Sequence, residues 1–412
     1  MRRGRPGLQS PVELNALETR VCEAIEARRE ALLEDLRLEV ETPTGGFNMP
    51  AIDRTRARFV GRLEALGATT EMVPGDPKPD WLPGANAERP VPPVAICRRK
   101  REGLRPVLIA GHLDTVHDPA GPFCSLTIAP DGKTATGPGC VDMKGGLVIA
   151  LAALEALEEV GAPASWGFLM NADEETGSFH SARAIAEESA GYACGLALEP
   201  AMAGGELAIE RSGSGQFMIE CRGRAAHVGR SFTEGVSAVT ALGERIVRVA
   251  EMPDPERGRI LSIGPIEGGV ATNAVPDRAR AWGNARYPTP EAADEIETML
   301  RTLETPADAM PSVRVHTCFN RPAKPLIPAT ERLALAARGV AEALGQRLPF
   351  ASTGGVCDGN IMQAAGLPTI DTLGVRGGGL HTPDEWIDLS SLVERCQLLG
   401  VLIARLSAPG AE

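Results

Sequence analysis

Aromatic residues are scarce in this chain of 412 residues, where nine Phe, four Trp and two Tyr make up 4% of the sequence. So few rings provide no stacking platform of the kind that binds single-stranded nucleic acid. Positive charge is also in deficit, because 54 acidic residues outnumber 42 Lys and Arg and leave a formal net charge of −12. That balance argues against DNA, RNA or an anionic membrane as a partner, and a small soluble substrate is expected instead.

Long apolar runs are missing as well, since no window approaches the ~18 apolar residues of a membrane span. The opening stretch MRRGRPGLQS is basic, but no apolar run follows it, so we do not expect a secretory signal. The nine cysteines are scattered, odd in number and never spaced C-x-x-C. Such a pattern indicates reduced thiols rather than a disulfide framework or a structural zinc knuckle, and it predicts a cytoplasmic protein.

Helical and strand-like patterns alternate along most of the chain. Residues 12–40 are predicted to form one long amphipathic helix, residues 51–67 a second helix, and the Pro-rich residues 74–93 a surface loop. Short apolar runs then alternate with helices up to residue 200 and again after residue 322. This alternation predicts an α/β fold with a mainly parallel sheet and helices on both faces.

The pattern changes near residue 205, where half-exposed strands replace the apolar runs. A strand, a helix, two strands, a helix and a last strand follow one another up to residue 321. This β-α-β-β-α-β order predicts a small ferredoxin-like α+β domain. The chain is too long for one ordinary core, so we predict a discontinuous catalytic domain, residues 1–205 and 322–412, with an inserted domain of residues 206–321.

The chemistry-bearing residues gather where strand-like runs end. Two of the six His do so: His112 in GHLDTV and His381 in GGGLHTPDEW. Carboxylates occupy equivalent places: Asp142, Glu174, Glu175 and Glu199. Because ligands of open α/β sheets bind at the carboxyl ends of strands, we expect these side chains to converge. Imidazole with carboxylate suits two zinc ions, with cobalt or manganese as substitutes, and a pair ~3.5–4 Å apart needs a bridging carboxylate.

Two further carboxylates are given assisting roles. Residues 112 and 114 of a strand face the same side, so the Asp114 carboxylate is predicted to accept the spare ring N–H of His112. The neighbours Glu174 and Glu175 can serve one site only where the strand has become a turn, which the following TGS supplies. One of the two can then bind metal while the other stays free as a base.

Seven sequence blocks occur in an order that resembles a known enzyme family: GHLDTV, GPGCVDMKGG, NADEETGS, LALEP, GRAAHVG, TNAVP and GGGLHTPDEW. The family is that of the dinuclear zinc peptidases, with glutamate carboxypeptidase (carboxypeptidase G type), aminoacylase, acetylornithine deacetylase and succinyl-diaminopimelate desuccinylase. The resemblance runs from about residue 50 to 405. It implies a metallo-carboxypeptidase that hydrolyses an amide bond next to a free carboxylate.

Matching positions imply a role for each residue of the metal centre. His112 and Glu199 would hold one zinc, Glu175 and His381 the other, and Asp142 would bridge the two. The family also has a cis peptide after the bridging Asp, and Glu174 matches its general base.

The inserted domain would be the family's dimerisation lid, so the resemblance implies a homodimer. Its His227 would reach the partner subunit's active site and stabilise the oxyanion. Asn273 and Arg286 match lid positions that grip the carboxylate of the substrate.

Departures from the family concern the substrate. The glutamate carboxypeptidase branch carries a Lys after the EP block, whereas this chain has Glu206 there, with Arg211 nearby. A preference for C-terminal glutamate therefore does not follow, and an N-acyl-amino-acid deacylase is the alternative activity. A catalytically dead dimeric binding protein would lack a ligand or the base, and the chain has all of them. A dehydrogenase would need a Gly-rich fingerprint that is missing here.

Overall fold

The protein is described by a computed structural model that covers residues 13–85 and 90–410. A six-stranded sheet lies at its centre, in the order β1-β2-β6-β3-β7-β16. Its strands are β1 (Thr69–Val73), β2 (Val94–Arg99), β3 (Pro106–His112), β6 (Ser165–Asn171), β7 (Cys194–Ala197) and β16 (Thr369–Ile370). The last four run parallel to one another, and β1 and β2 form an antiparallel edge. The predicted α/β class is confirmed.

Eight helices surround this sheet in the described part of the chain: α1 (Ala16–Glu26), α2 (Arg29–Val40), α3 (Met49–Ala65), α4 (Lys144–Glu159), α5 (Ala182–Ser189), α8 (Pro328–Ala343), α9 (Asp358–Ala364) and α10 (Ser390–Ser407). Alternate residues of β3 enter two different cores. Val107 and Ile109 pack in the core that contains α1, α2, α4 and α10, whereas Leu108 and Ala110 pack with α5 and α9. Both faces of the sheet are thus covered, which explains its continuous apolar strands.

The first predicted helix is interrupted in the structure. In place of the single helix predicted for residues 12–40, the chain forms two helices, α1 and α2, which are separated at Ala27–Arg28; residue 12 lies outside the described residues. Residues 86–89 of the predicted surface loop and the opening residues 1–12 also lie outside them. No helix in the described ranges is long and apolar enough to cross a membrane.

Two small sheets lie beside the central one. The first has the order β17-β18-β5-β4 and consists of β4 (Thr127–Ile128), β5 (Thr134–Thr136), β17 (Gly377–Gly378) and β18 (Trp386–Asp388). The second is a parallel pair of β8 (Leu207–Arg211) and β15 (Phe350–Thr353). Strand β8 therefore pairs with a strand from the C-terminal part of the chain.

A separate four-stranded antiparallel sheet, in the order β11-β13-β9-β14, forms the lid. Its strands are β9 (Gly213–Arg222), β11 (Ile260–Gly268), β13 (Arg278–Tyr287) and β14 (Ser312–Arg321), and its helices are α6 (Ala238–Ala250) and α7 (Pro290–Arg301). A short pair of β10 (Ala226–His227) and β12 (Ala274–Val275) projects from it. The lid has its own apolar core, including Phe217, Leu242 and Leu300. The predicted boundaries, residues 206–321, remain a prediction.

The chain passes between the two parts at two neighbouring points. Arg211 and Lys324 exchange backbone hydrogen bonds of 2.9 Å each. The side-chain amide of Asn360, on α9, donates to the carbonyl oxygens of Ser212 at 3.0 Å and Pro322 at 2.8 Å. Both crossings are therefore fixed to one catalytic-domain helix, and this arrangement positions the lid beside the carboxyl ends of the central strands.

Candidate metal centre

The predicted ligands come from separate places in the sequence and meet at the carboxyl edge of the central sheet. His112 ends β3, Glu199 follows β7, and Asp142 stands two residues before α4. Glu175 lies in a short 3-10 turn, Glu174–Thr176, after β6. His381 lies in the loop between β17 and β18 with a left-handed φ of 62°. A non-glycine residue in this conformation is held there by its surroundings, as is common at functional sites.

These ligands form two groups that share one member. In His112, Asp142 and Glu199, and again in Asp142, Glu175 and His381, one donor atom per residue lies within 4.8 Å of the others. The two oxygens of Asp142 face different imidazoles, with Oδ1 3.3 Å from His112 Nε2 and Oδ2 3.5 Å from His381 Nε2. The shared carboxylate makes the arrangement one for two cations. The peptide bond after Asp142 is cis, as the resemblance implied.

Buried polar atoms test whether metal ions fit this site. His112 Nε2, Asp142 Oδ1 and Glu175 Oε1 are buried and have no hydrogen-bond partner among the described residues. Unpaired polar atoms are costly to bury and rare in folded proteins. All three atoms belong to the two ligand groups, and each carries a lone pair that a cation would accept. The residues therefore fit a pair of metal ions.

The pKa shifts of the carboxyl groups in this site also indicate that it holds cations. Burial, followed by the neighbouring carboxylates, raises the pKa of Glu199 well above its usual range. Burial also raises the pKa of Glu175 to about 7. Burial opposes ionisation of Asp142 too, but the nearby imidazoles of His112 and His381 outweigh it and lower the pKa of Asp142. Carboxyl groups crowded together in a desolvated site need positive charge to ionise, and two divalent ions supply it.

The structure corrects the predicted contact of Asp114. The Nδ1–H of His112 donates to the backbone carbonyl of Asp114 at 2.9 Å, while the nearer carboxylate oxygen lies 3.5 Å away. The carboxylate instead accepts the backbone N–H groups of Glu174 at 3.3 Å and Glu175 at 3.0 Å. The carbonyl thus leaves Nε2 of His112 free for a metal, and the carboxylate fixes the turn that bears the predicted base.

A buried arginine that the sequence analysis missed holds this base. Arg321 ends β14 and is 2% exposed. Its guanidinium donates to Glu174 Oε1 at 2.8 Å, to the Glu174 carbonyl at 3.0 Å and to Ser178 Oγ at 2.6 Å. The carboxylate of Glu174 is therefore oriented from the lid side, and it does not belong to either ligand group.

Glu385 is a second residue that the sequence analysis missed. Its carboxylate is 1% exposed and accepts the backbone N–H groups of Gly139, Val141 and Asp142 at 2.9–3.0 Å. It also binds the ring of His117. Glu385 thus connects the loop of Asp142, the predicted bridging ligand, to the loop that carries His381. The sequence offered one sign of this role, because Glu385 lies only four residues after the candidate ligand His381.

The predicted lid residues lie in two different places. Arg286 on β13 lines a cavity together with Glu174 and Glu175, and its buried Nη1 has no hydrogen-bond partner in the part of the chain that the structure describes. Burial, followed by the nearby Arg321, lowers the pKa of Arg286, so an anion would be favoured beside it. His227, on the projecting β10, is exposed, and Asn273 lies beside that strand. Neither lines a cavity at the ligand groups of the same chain.

Two cavities meet at the ligands and the predicted base. The Met202 cavity has a volume of about 380 Å³ and is lined by Met202, Leu380 and Arg211 among others. The Arg286 cavity has a volume of about 420 Å³, and its lining includes Arg286 and Asn320. Both share Glu174, Glu175, Gly355, Val356 and His381. A linear molecule that crosses the base would therefore place one half in each cavity.

Known proteins are similar to this chain in sequence. The model of peptidase family M20/M25/M40 matches residues 108–405. Carboxypeptidase G2 of Pseudomonas sp. (strain RS-16) is 30% identical over 320 residues, 75% of this chain and 76% of that protein. A succinyl-diaminopimelate desuccinylase of Methylorubrum populi is 28% identical over 358 residues, 78% of this chain and 89% of that protein.

Solved structures share the fold at lower identity. A tripeptidase of Staphylococcus aureus superposes with a TM-score of 0.71 at 22% identity, covering 92% of this chain and 99% of that one. The M20 family metallo-carboxypeptidase Sso-CP2 of Sulfolobus solfataricus gives a TM-score of 0.67 at 15% identity, covering 90% and 98%.

The sequence matches define a metallo-hydrolase, and its two candidate ligand groups share Asp142. The chain belongs to peptidase family M20/M25/M40.

Proposed function

We propose that this protein is a dinuclear zinc carboxypeptidase, which hydrolyses the amide bond next to the free carboxylate of its substrate. The observation that carries this proposal is the position of Glu174, which lines one cavity with the shared ligand Asp142 and the other with Arg286, whose Nη1 has no hydrogen-bond partner among the described residues. Relatives named as carboxypeptidases support it. The ligand set of two imidazoles and three carboxylates favours zinc, and cobalt or manganese would substitute.

In the proposed reaction, Arg286 binds the substrate and Glu174 transfers the proton. Arg286 would bind the substrate carboxylate in its cavity through a charge-assisted hydrogen bond and so place the scissile amide at the base. Two zinc ions held by the ligand groups would polarise the amide carbonyl and acidify the attacking water. Glu174 takes one proton from that water as oxygen bonds to the carbonyl carbon. The same carboxyl then gives the proton to the leaving nitrogen as the C–N bond breaks.

The lid supports a homodimer with shared active sites. Strand β11 lies at the edge of the lid sheet and exposes Ile260 and Ile266, while α6 beside it exposes Val239 and Val247. An exposed edge strand next to an apolar helix face is a surface that a second copy can cover symmetrically. In such a dimer His227, exposed on the projecting β10, would donate a hydrogen bond to the oxyanion in the partner's site.

The proposal extends to the compartment. All nine cysteines are unpaired. Unpaired thiols persist in a reducing environment, so we place the protein in the cytoplasm.

A substrate library tests the activity. Zinc-reconstituted protein is incubated with N-acetyl dipeptides, folate-type glutamates and short N-acyl amino acids, and the released amines are identified by mass spectrometry. The proposal predicts release of C-terminal amino acids from peptides. Release from the short N-acyl amino acids alone would favour the deacylase instead, and no release with two zinc ions bound would favour the binding protein.

A further inference from the structure

We propose that Arg211 forms an anion subsite in the Met202 cavity and selects substrates whose acyl half carries a carboxylate. The inference rests on the proposed function, because that function puts the leaving amino acid in the Arg286 cavity and hence the acyl half in the other. No role in the proposed reaction uses Arg211, yet it lines the cavity that the acyl half enters.

The guanidinium of Arg211 is held rigidly by one carboxylate. Its Nε and Nη2 donate to the same oxygen of Asp371, at 2.9 Å and 2.7 Å. The arginine side chain is 8% exposed and the aspartate is completely buried. A cation fixed in this way loses little further freedom when it binds a ligand.

The surroundings leave this cation with unbalanced charge. The other oxygen of Asp371 lies 3.2 Å from the ammonium of Lys324, which is also completely buried. Two cations therefore share a single carboxylate. The nearby Glu199 belongs to a metal-ligand group, so its charge is committed to a cation there. The cluster retains one positive charge at the wall of the cavity.

One edge of the guanidinium is free to receive a ligand. Nη1 of Arg211 donates no hydrogen bond to any residue in the described ranges. It points towards Gly355, where a Cβ atom would stand 3.5 Å from Nη1. Gly355 lines both cavities, so the absent side chain leaves the path open between the base and the arginine. The rest of the wall includes the apolar Met202 and Leu380, which would cover an aliphatic spacer.

A carboxylate fits this position better than a neutral oxygen. It neutralises the unpaired charge and accepts the two N–H groups of Nη1. Arg211 is the only arginine or lysine among the described residues that line the Met202 cavity. The favoured substrates are therefore peptides with an acidic residue before the C-terminal one, or other amides whose acyl group ends in a carboxylate.

The test compares two isosteric substrates that differ only in charge. N-acetyl-Glu-Xaa and N-acetyl-Gln-Xaa are hydrolysed by the zinc-loaded enzyme, where Xaa is the amino acid released fastest from the library. The expected ratio of kcat/KM is about tenfold or more in favour of the glutamyl peptide, the size of one charge-assisted hydrogen bond. In Arg211→Gln the ratio should fall towards one.

Matched variants separate this role from folding. Lys324→Gln removes the other cation from Asp371 without touching the cavity lining, and it should keep the preference for the glutamyl peptide. Arg211→Lys keeps a partner for Asp371 and should retain part of the preference, so it serves if the glutamine variant does not fold. Zinc content and thermal unfolding are measured for each variant.

Equal hydrolysis of both peptides by the wild-type enzyme would overturn the inference and leave the proposed function standing. A preference that survives in Arg211→Gln would also overturn it. If neither peptide nor any member of the library is cleaved, the proposed function itself has failed.

Discussion

Replacing Glu174 by Gln is expected to lower kcat by about 10³-fold, within the range that general acid–base catalysis contributes. The amide keeps the shape of the carboxylate and can still pair with Arg321, but it cannot take a proton from water or return one to the leaving nitrogen. Glu174 belongs to neither ligand group, so the variant should still bind two zinc ions. Steady-state kinetics and metal analysis on the same sample check both expectations.

Two comparisons sharpen this result. Glu187→Gln makes the same chemical change on an exposed face of α5 and should retain wild-type kinetics. Loss of zinc in Glu174→Gln, with activity restored by excess zinc, would show that Glu174 is a ligand. In that case the roles of Glu174 and Glu175 would have to be exchanged.

A heterodimer of two inactive variants is expected to recover about half of the wild-type activity. His227→Ala removes the proposed oxyanion donor, and such a loss costs about 10²–10³-fold in kcat. If His227 acts in the partner's site, a dimer of one Glu174→Gln chain and one His227→Ala chain has one defective site and one intact site. Co-expression with two affinity tags isolates this heterodimer, and its kcat is compared with that of each homodimer.

Arg286 supplies the control for this experiment. It lines the cavity of its own chain together with Glu174, so both residues serve one site. A heterodimer of Glu174→Gln with Arg286→Met has no intact site and should remain inactive. Recovery there, or none in the first heterodimer, would contradict the assignment of His227 to the partner's site.

Local sequence patterns predicted that the candidate metal ligands lie close together, because one rule places the carboxyl ends of parallel strands at the same edge of the sheet. Apolar runs mark the parallel strands, and polar residues at their carboxyl ends reach one edge of the sheet. His112 ends β3, Glu199 follows the neighbouring strand β7, and the two meet for this reason. The turn at Glu174 was also predictable, because two adjacent carboxylates cannot face the same way in a strand.

The alternation rule failed at Asp114, two residues beyond the end of a strand. Strand β3 ends at His112, so the next residues no longer alternate between faces. The Asp114 carboxylate accepts the backbone N–H groups of Glu174 and Glu175. The backbone carbonyl of Asp114 accepts the His112 N–H that was predicted to bind the carboxylate. The helical spacing of apolar residues was misleading in the same way. It continues through Ala27–Arg28, although α1 ends before these residues and α2 begins after them.

Contacts over long sequence distances could not be predicted from local patterns. Arg321 lies 147 residues after Glu174, and Glu385 lies 244 residues after the backbone N–H of Val141 that it accepts. Both are charged residues that single-sequence reasoning places on the surface, because burial of a charge becomes plausible only once its partner is known. The charge balance around Arg211 depends in the same way on Asp371 and Lys324, which join it only in the folded chain.

The central claim is that two metal ions share Asp142, and anomalous diffraction tests it most directly. Crystals grown with zinc would be measured on both sides of the zinc absorption edge. We predict two anomalous peaks, one beside His112 and Glu199 and one beside Glu175 and His381, with an oxygen of Asp142 bound to each. A single peak, or two peaks of which only one contacts Asp142, would contradict the dinuclear centre.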